Sequence, residues 1–200
     1  RIPIRFNHDD SYHFSKYGGI PKNGYSHIIN KMLSGTKVNI NLNTKFIPSD
    51  YYTDKFDHIF YSGPIDEYFN YTYGQLGYRT VKFKKEIYNG DFQGCPQVNF
   101  CDANVPYTRI TEHKHFAPFE KHDKTIIFKE FSVDTDENLI PYYPKRLPDD
   151  ISLFKKYELL SKKEKNVTFI GRLAKYRYMD MHQIIGESMS FSNEYIEKNF

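Results

Sequence analysis

"YRTVKFKKEIYNGDFQGCPQVNFCDANVPYTRITEHKHF", residues 78–116, decides the fold class. It contains three strand-like runs, "YRTVKFKKEIY" (78–88), "QVNFCD" (97–102) and "PYTRITEHKHF" (106–116), and "KTIIFKEFS" (124–132) follows as a fourth. Gly, Asp, Asn and Pro separate them, and no helical period interrupts them. Consecutive strands on short links favour an antiparallel sheet. Within 106–116, alternation would place Arg109, Thr111, His113 and His115 on one face. Two imidazoles on one face hold a metal when a third ligand arrives. An arginine on that face equally holds an anion.

The flanks read differently. Upstream, "GIPKNGYSHIINKML" (19–33) is a turn and a short helix, with Tyr25, Ile28, Ile29, Met32 and Leu33 at helical spacing. "TKVNINLNTKF" (36–46) alternates Val38, Ile40 and Leu42 as a half-buried strand would, and "FDHIFYSGPIDEYF" (56–69) is a strand, a Gly-Pro turn and a short helix. Downstream, "DDISLFKKYELLSKKEK" (149–165) is a helix with an Asp cap, "NVTFIGRL" (166–173) a buried strand, and 178–200 a helix carrying Met181, Ile184, Ile185, Met189 and Ile196 roughly on one side. The whole is a mixed α+β and α/β chain: an antiparallel sheet set between α/β pieces.

Composition narrows the function classes. The chain has 200 residues, enough for a real core, and a net charge of +3 without a polybasic stretch, so it lacks the footprint of a nucleic-acid binder. It holds 18 Tyr and 17 Phe but no Trp, which reads first as an aromatic core. Cys95 and Cys101 match no zinc or redox spacing, and a reduced, cytoplasmic setting is expected. No apolar run approaches the ~18 residues of a membrane span, and no signal peptide is visible. The chain opens on Arg1 rather than Met, as a piece cut from a longer protein would.

"FIGRLAKYRYMDM" (169–181) is the strongest local signal. A strand runs into Gly171 and Arg172, then a loop, then a helix. Glycine lets a backbone approach a ligand, a helix start offers free N–H groups, and Arg172 adds a cation. An ordinary strand–turn–helix with surface Arg and Tyr would show the same pattern. No G-x-S-x-G, P-loop or G-x-G-x-x-G is present, and nothing at motif spacing supplies a third ligand for His113 and His115. No metal site is therefore expected.

Taken in order, "FYSGPIDEYF", "LGYRTVKF", "QVNFCDANVPYTRITEHKHF", "KEFS", "IPYYP" and "FIGRLAKYRYMDM" closely resemble the C-terminal half of the bacterial UDP-galactopyranose mutase family. The resemblance runs over essentially all of the chain. It implies an isomerase that interconverts UDP-galactopyranose and UDP-galactofuranose through a covalent flavin N5–sugar adduct on reduced FAD. No residue of this piece would be the nucleophile, because the hard chemistry belongs to the cofactor. Arg1 and Arg109 resemble the arginines that clamp the UDP diphosphate. Tyr12, Tyr143 and Tyr178 resemble the tyrosines that reach it, and Asn99 a substrate contact. Gly171, Arg172, Met179, Asp180, Met181 and His182 resemble the flavin-contacting run, and Phe46 would touch the adenine side.

The resemblance further implies a division of the chain. Residues 1–21 would be a substrate-facing lead-in, 22–62 and 145–200 parts of a Rossmann-like FAD domain, and 63–144 the antiparallel substrate sheet. The flavin fingerprint and the helical subdomain would lie in the other half. On this reading the piece alone neither binds FAD tightly nor turns over. Its partner is UDP-galactose or UDP, with no nucleic acid and no membrane, and a homodimer is allowed at full length. Two other classes compete: a nucleotide-sugar-binding module without turnover, and a metal-dependent hydrolase built on His113 and His115.

Overall fold

The computed structural model describes residues 6–8, 16–48, 55–136 and 139–200. Its larger sheet is built on two long strands, β2 (Tyr78–Asn89) and β5 (Lys124–Asp134). They pair antiparallel from Arg79–Asp134 to Asn89–Lys124. β4 (Arg109–Glu112) joins the other edge of β5, β3 (Gln97–Asn99) pairs with β4, and β6 (Tyr143–Pro144) pairs with the start of β2. The strand order is therefore β3-β4-β5-β2-β6. The sequence reading led consecutive strands to neighbour one another. β3–β4 and β4–β5 do so, but β2 passes over both short strands to β5. A ladder is satisfied along its length only by a strand of similar length, and among the described strands β5 offers that.

A second sheet has two parallel strands, β1 (Ile59–Tyr61) and β7 (Val167–Phe169). The helices are α1 (Tyr25–Leu33), α2 (Ile65–Tyr68), α3 (Pro148–Ser161), α4 (Gly171–Ala174) and α5 (Met181–Asn199). No helix among the described residues is long and apolar enough to cross a membrane.

The core lies where the two sheets meet α2 and α3. It comprises Ile59, Ile65, Tyr68, Leu76, Tyr78, Tyr157, Val167, Phe169, Ala174 and Tyr176. The aromatic excess of the sequence finds its place here. Tyr68 packs edge-on against Tyr61 and Phe169, and Phe69 stacks on Phe169. Buried tyrosines need a partner for the hydroxyl. Tyr157 Oη donates to Gly74 O at 2.6 Å and accepts from the Tyr73 N–H at 3.0 Å, and Tyr176 Oη donates to Gly77 O at 2.6 Å. Each such ring contributes about 1.5–3 kcal/mol by burial.

Three local expectations are corrected. Residues 36–46 form no strand: Val38, Ile40 and Leu42 are 57%, 56% and 79% exposed, and no described strand lies alongside to take their backbone bonds. β4 ends at Glu112, and His113–Phe116 closes into a 3-10 turn, so His113 and His115 do not share a strand face. α3 is entered through Leu147 and Pro148 rather than an Asp cap. Asp150, in its first turn, accepts from the Leu147 N–H at 3.1 Å and from the Gly77 N–H at 3.0 Å, tying the helix start to the start of β2.

Candidate functional site

Two residues in left-handed backbone conformations, Arg146 (φ 59°) and Tyr176 (φ 45°), lock two loops together. Arg146 Nη1 donates to Tyr176 O at 2.8 Å, and the Lys145 N–H donates to Gly77 O at 2.9 Å. This clamp sets β6 beside the connection between α4 and α5. Tyr143 and Tyr178 then stack, ring centroids 5.8 Å apart and planes 14° from parallel. The Arg172 guanidinium sits 4.5 Å from the Tyr143 centroid and 4.6 Å from that of Tyr178. Arg172 enters from α4, whose first residue, Gly171, has φ +77°, a value that strains any side chain. Arg172 Nε and Nη2 are buried without a hydrogen-bond partner among the described residues. Buried charged donors are costly to leave unmade, so this edge calls for an acceptor from a ligand.

Arg109 reaches the same site from the larger sheet. Asn99, Arg109 and Glu130 lie directly opposite one another on β3, β4 and β5, hence on one face. Arg109 Nε donates to Asn99 Oδ1 at 2.9 Å, and Arg109 Nη1 lies 3.7 Å from Glu130 Oε2. The groups act on Tyr143 together. Burial raises its hydroxyl pKa, Glu130 and Tyr178 raise it further, and Arg172 and Arg109 oppose them. Two guanidiniums, two phenols, an amide and a carboxylate thus share one polar surface, suited to an anion with several acceptor oxygens. Sequence reading missed Glu130, because its place opposite Arg109 depends on a register that no local pattern prints.

Of the residues assigned to flavin, Gly171 follows the end of β7 by two residues, and Phe46 lies beside Tyr61 at the end of β1. Phe46 packs against the core, 6.0 Å from Tyr61, and lines a depression of about 430 Å³ with Lys45, Ser62 and Gly63. A side chain at Gly171 would meet Ser62. Met179 is buried, at 2% exposure. Asp180 is the N-cap of α5, its N–H held by Gln183 Oε1 at 2.8 Å, and Met181 and His182 open the helix exposed. Arg1 and Tyr12 lie outside the described residues.

The histidines are drawn into separate roles. His113 packs edge-on against Phe128, ring centroids 5.1 Å apart, and burial lowers its pKa. His115 meets Asp91 at 2.8 Å and Glu112 at 3.5 Å, and ligand atoms of these three lie within 4.8 Å of one another. Lys114 already sets its ammonium 2.9 Å from Asp91. Glu112 Oε1 accepts from Thr125 Oγ1 and the Phe92 N–H, and Oε2 from the Gln93 N–H. With its acceptors engaged and a cation in place, the group works as a tie between β4, β5 and the turn at 90–93.

Comparison with known proteins agrees in one direction. The family model described as UDP-galactopyranose mutase matches residues 1–178. The chain is 45% identical over 196 residues to a probable UDP-galactopyranose mutase of Klebsiella pneumoniae, covering 98% of this chain and 50% of that protein. It is 43% identical over 205 residues to a dTDP-fucopyranose mutase of Escherichia coli, covering 100% of this chain and 54% of that one. A UDP-galactopyranose mutase of Mycoplasma genitalium is 32% identical over 185 residues, covering 84% and 45%. The chain thus spans about half the length of these relatives.

Proposed function

The chain belongs to the UDP-galactopyranose mutase family, and from that premise we propose that it supplies the diphosphate-binding face and part of the flavin crevice of a flavin-dependent mutase. The substrate is UDP-galactopyranose, exchanged with UDP-galactofuranose. The observation that carries the reading is Arg172, stacked across Tyr143 and Tyr178 with two buried nitrogens awaiting acceptors.

Arg109, fixed by Asn99, meets the diphosphate with its planar fork, and Arg1 and Tyr12 join it from the lead-in segment. The Tyr143 and Tyr178 hydroxyls donate to phosphate oxygens. Burial raises the Tyr143 pKa, which keeps that hydroxyl a donor. Gly171, Arg172, Met179, Asp180, Met181 and His182 would hold FAD, with Phe46 toward its adenine. The orphaned Arg172 edge and the open left-handed turn at Gly171 fit a polar ring system approaching closely. Reduced FAD supplies the nucleophile for the anomeric carbon. The residues of this chain bind, orient and balance charge.

Residues 22–62 and 145–200 belong on this reading to the FAD domain, and 63–144 to the substrate sheet. On the same reading the protein works in the cytoplasm, with a homodimer allowed at full length. The likeness to a dTDP-fucopyranose mutase favours a second substrate reading, a dTDP-linked 6-deoxysugar. The test is turnover by the full-length, reduced protein, followed by chromatography of both nucleotide-sugar pairs. Conversion of UDP-galactofuranose with flavin absorbance is expected. Conversion of the dTDP pair alone moves the substrate. Binding of either without conversion replaces the mutase by a nucleotide-sugar-binding module.

A further inference from the structure

Arg109 has two neighbours on its sheet face, and they act on it differently. Asn99 Oδ1 accepts the Arg109 Nε–H at 2.9 Å and is itself approached by Gln97 Nε2 at 3.3 Å. That hydrogen bond fixes the direction of the guanidinium. Glu130 comes no closer than 3.7 Å, outside hydrogen-bond range. Another residue holds Glu130 in place: the Thr108 N–H donates to Glu130 O at 2.8 Å, and the one Thr108 hydroxyl proton is shared between Glu130 O at 3.2 Å and Oε1 at 3.3 Å. Its side chain is only 18% exposed, so water screens it poorly. Arg109 does not need Glu130 for its orientation, yet a fixed negative charge stands beside the group that receives the anion.

We propose that Glu130 sets the affinity of this site: a standing negative charge that weakens the hold of Arg109 on a nucleoside diphosphate, and does so more strongly the more charge the ligand carries. The inference rests on the diphosphate reading of the site given above. A free nucleoside diphosphate carries about one more negative charge than its sugar ester, and Coulomb repulsion scales with the product of charges. Glu130 therefore discriminates against the free diphosphate relative to the nucleotide sugar, while Asn99 and Arg109 provide the attraction.

The test is calorimetric titration of the full-length protein with UDP, UDP-galactose and uridine, at low and high salt. Glu130→Gln keeps an acceptor for Thr108 and removes the charge. It should tighten UDP by about threefold to thirtyfold, tighten UDP-galactose less, and leave uridine unchanged. The gain should shrink in high salt. Glu130→Ala removes the charge without an amide and must move UDP affinity the same way. Unchanged or weaker UDP binding in a folded variant overturns the proposal and makes Glu130 a brace for Arg109. Arg109→Ala separates the layers. If it binds UDP as the wild type does, or the wild type binds none, the diphosphate reading itself fails and this inference with it. If it weakens UDP while Glu130→Gln fails to tighten it, only this inference fails.

Discussion

Arg109 and Tyr178 test the site one side chain at a time. If Arg109 holds the diphosphate as proposed, Arg109→Ala should cost about 1.5–3 kcal/mol of UDP binding, read by titration of the full-length protein. Arg109→Lys should recover little of it. A lysine keeps the charge but has no Nε–H for Asn99 Oδ1 and no planar pair of donors. Equal UDP affinity for all three proteins would remove Arg109 from the site. Tyr178→Phe separates two roles. The ring stacks on Tyr143 and under Arg172, and phenylalanine preserves both contacts. Thermal stability and flavin content should therefore hold, while binding of UDP-galactose to the reduced enzyme weakens by about 0.5–3 kcal/mol with the lost hydroxyl bond. A lower melting temperature at unchanged affinity would make Tyr178 a packing residue.

Elements show which signals the sequence carries and which it lacks. The long strands and all three longer helices were legible, because their periods persist over several turns or pleats. The resemblance motifs named Asn99, Arg109, Tyr143 and Tyr178 for substrate and Arg172 for flavin; the fold sets Arg172 against Tyr143 and Tyr178, and Arg109 against Asn99. The alternation at Val38, Ile40 and Leu42 was equally clean, yet it makes no strand, since a strand needs a neighbour and alternation does not name one. "EHKH" misled for a different reason. The chain turns into a 3-10 coil just where Glu112, fully buried, captures the backbone of the turn at 90–93. That capture has a pH signature. Burial works against ionising Glu112, but hydrogen bonds from Thr125, Gln93 and Phe92 outweigh it and hold its pKa below the ordinary 4.5. The fold thus favours the ionised form, so this stabilisation is complete above the unfolded value and fades as pH falls through the folded one. Melts from pH 7 to pH 3 should show wild-type stability dropping at the acid end. Glu112→Gln should lose about 3 kcal/mol or more at neutral pH, and the gap should narrow on acidification. A pH-independent gap would mean that shape, not charge, is what the turn requires.

At the scale of the whole molecule, much apolar surface has no cover among the described residues. α1 buries none of its side chains and exposes Tyr25, Ile28, Ile29 and Met32. The 36–46 segment adds Val38, Ile40 and Leu42, and α5 adds Met181, Ile185, Met189 and Ile196. Among the described residues the parallel sheet has two strands, although parallel strands are ordinarily buried within larger sheets. Exposed apolar area on this scale marks a surface meant for another polypeptide, and the relatives are about twice as long as this chain. The proposed flavin crevice would share the deficit: the sequence holds strand ends and a helix start but no glycine-rich turn for a pyrophosphate. Residues 1–200 produced alone should therefore bind a hydrophobic dye strongly and carry no stoichiometric FAD. Co-expression with the remaining half of the full-length protein should quench the dye signal and restore flavin absorbance together, because one interface closes the apolar faces and completes the crevice. A yellow preparation of residues 1–200 with near-stoichiometric flavin would refute this. Dye binding that disappears while flavin stays absent would separate the two deficits and place the cofactor's missing contacts away from the exposed faces.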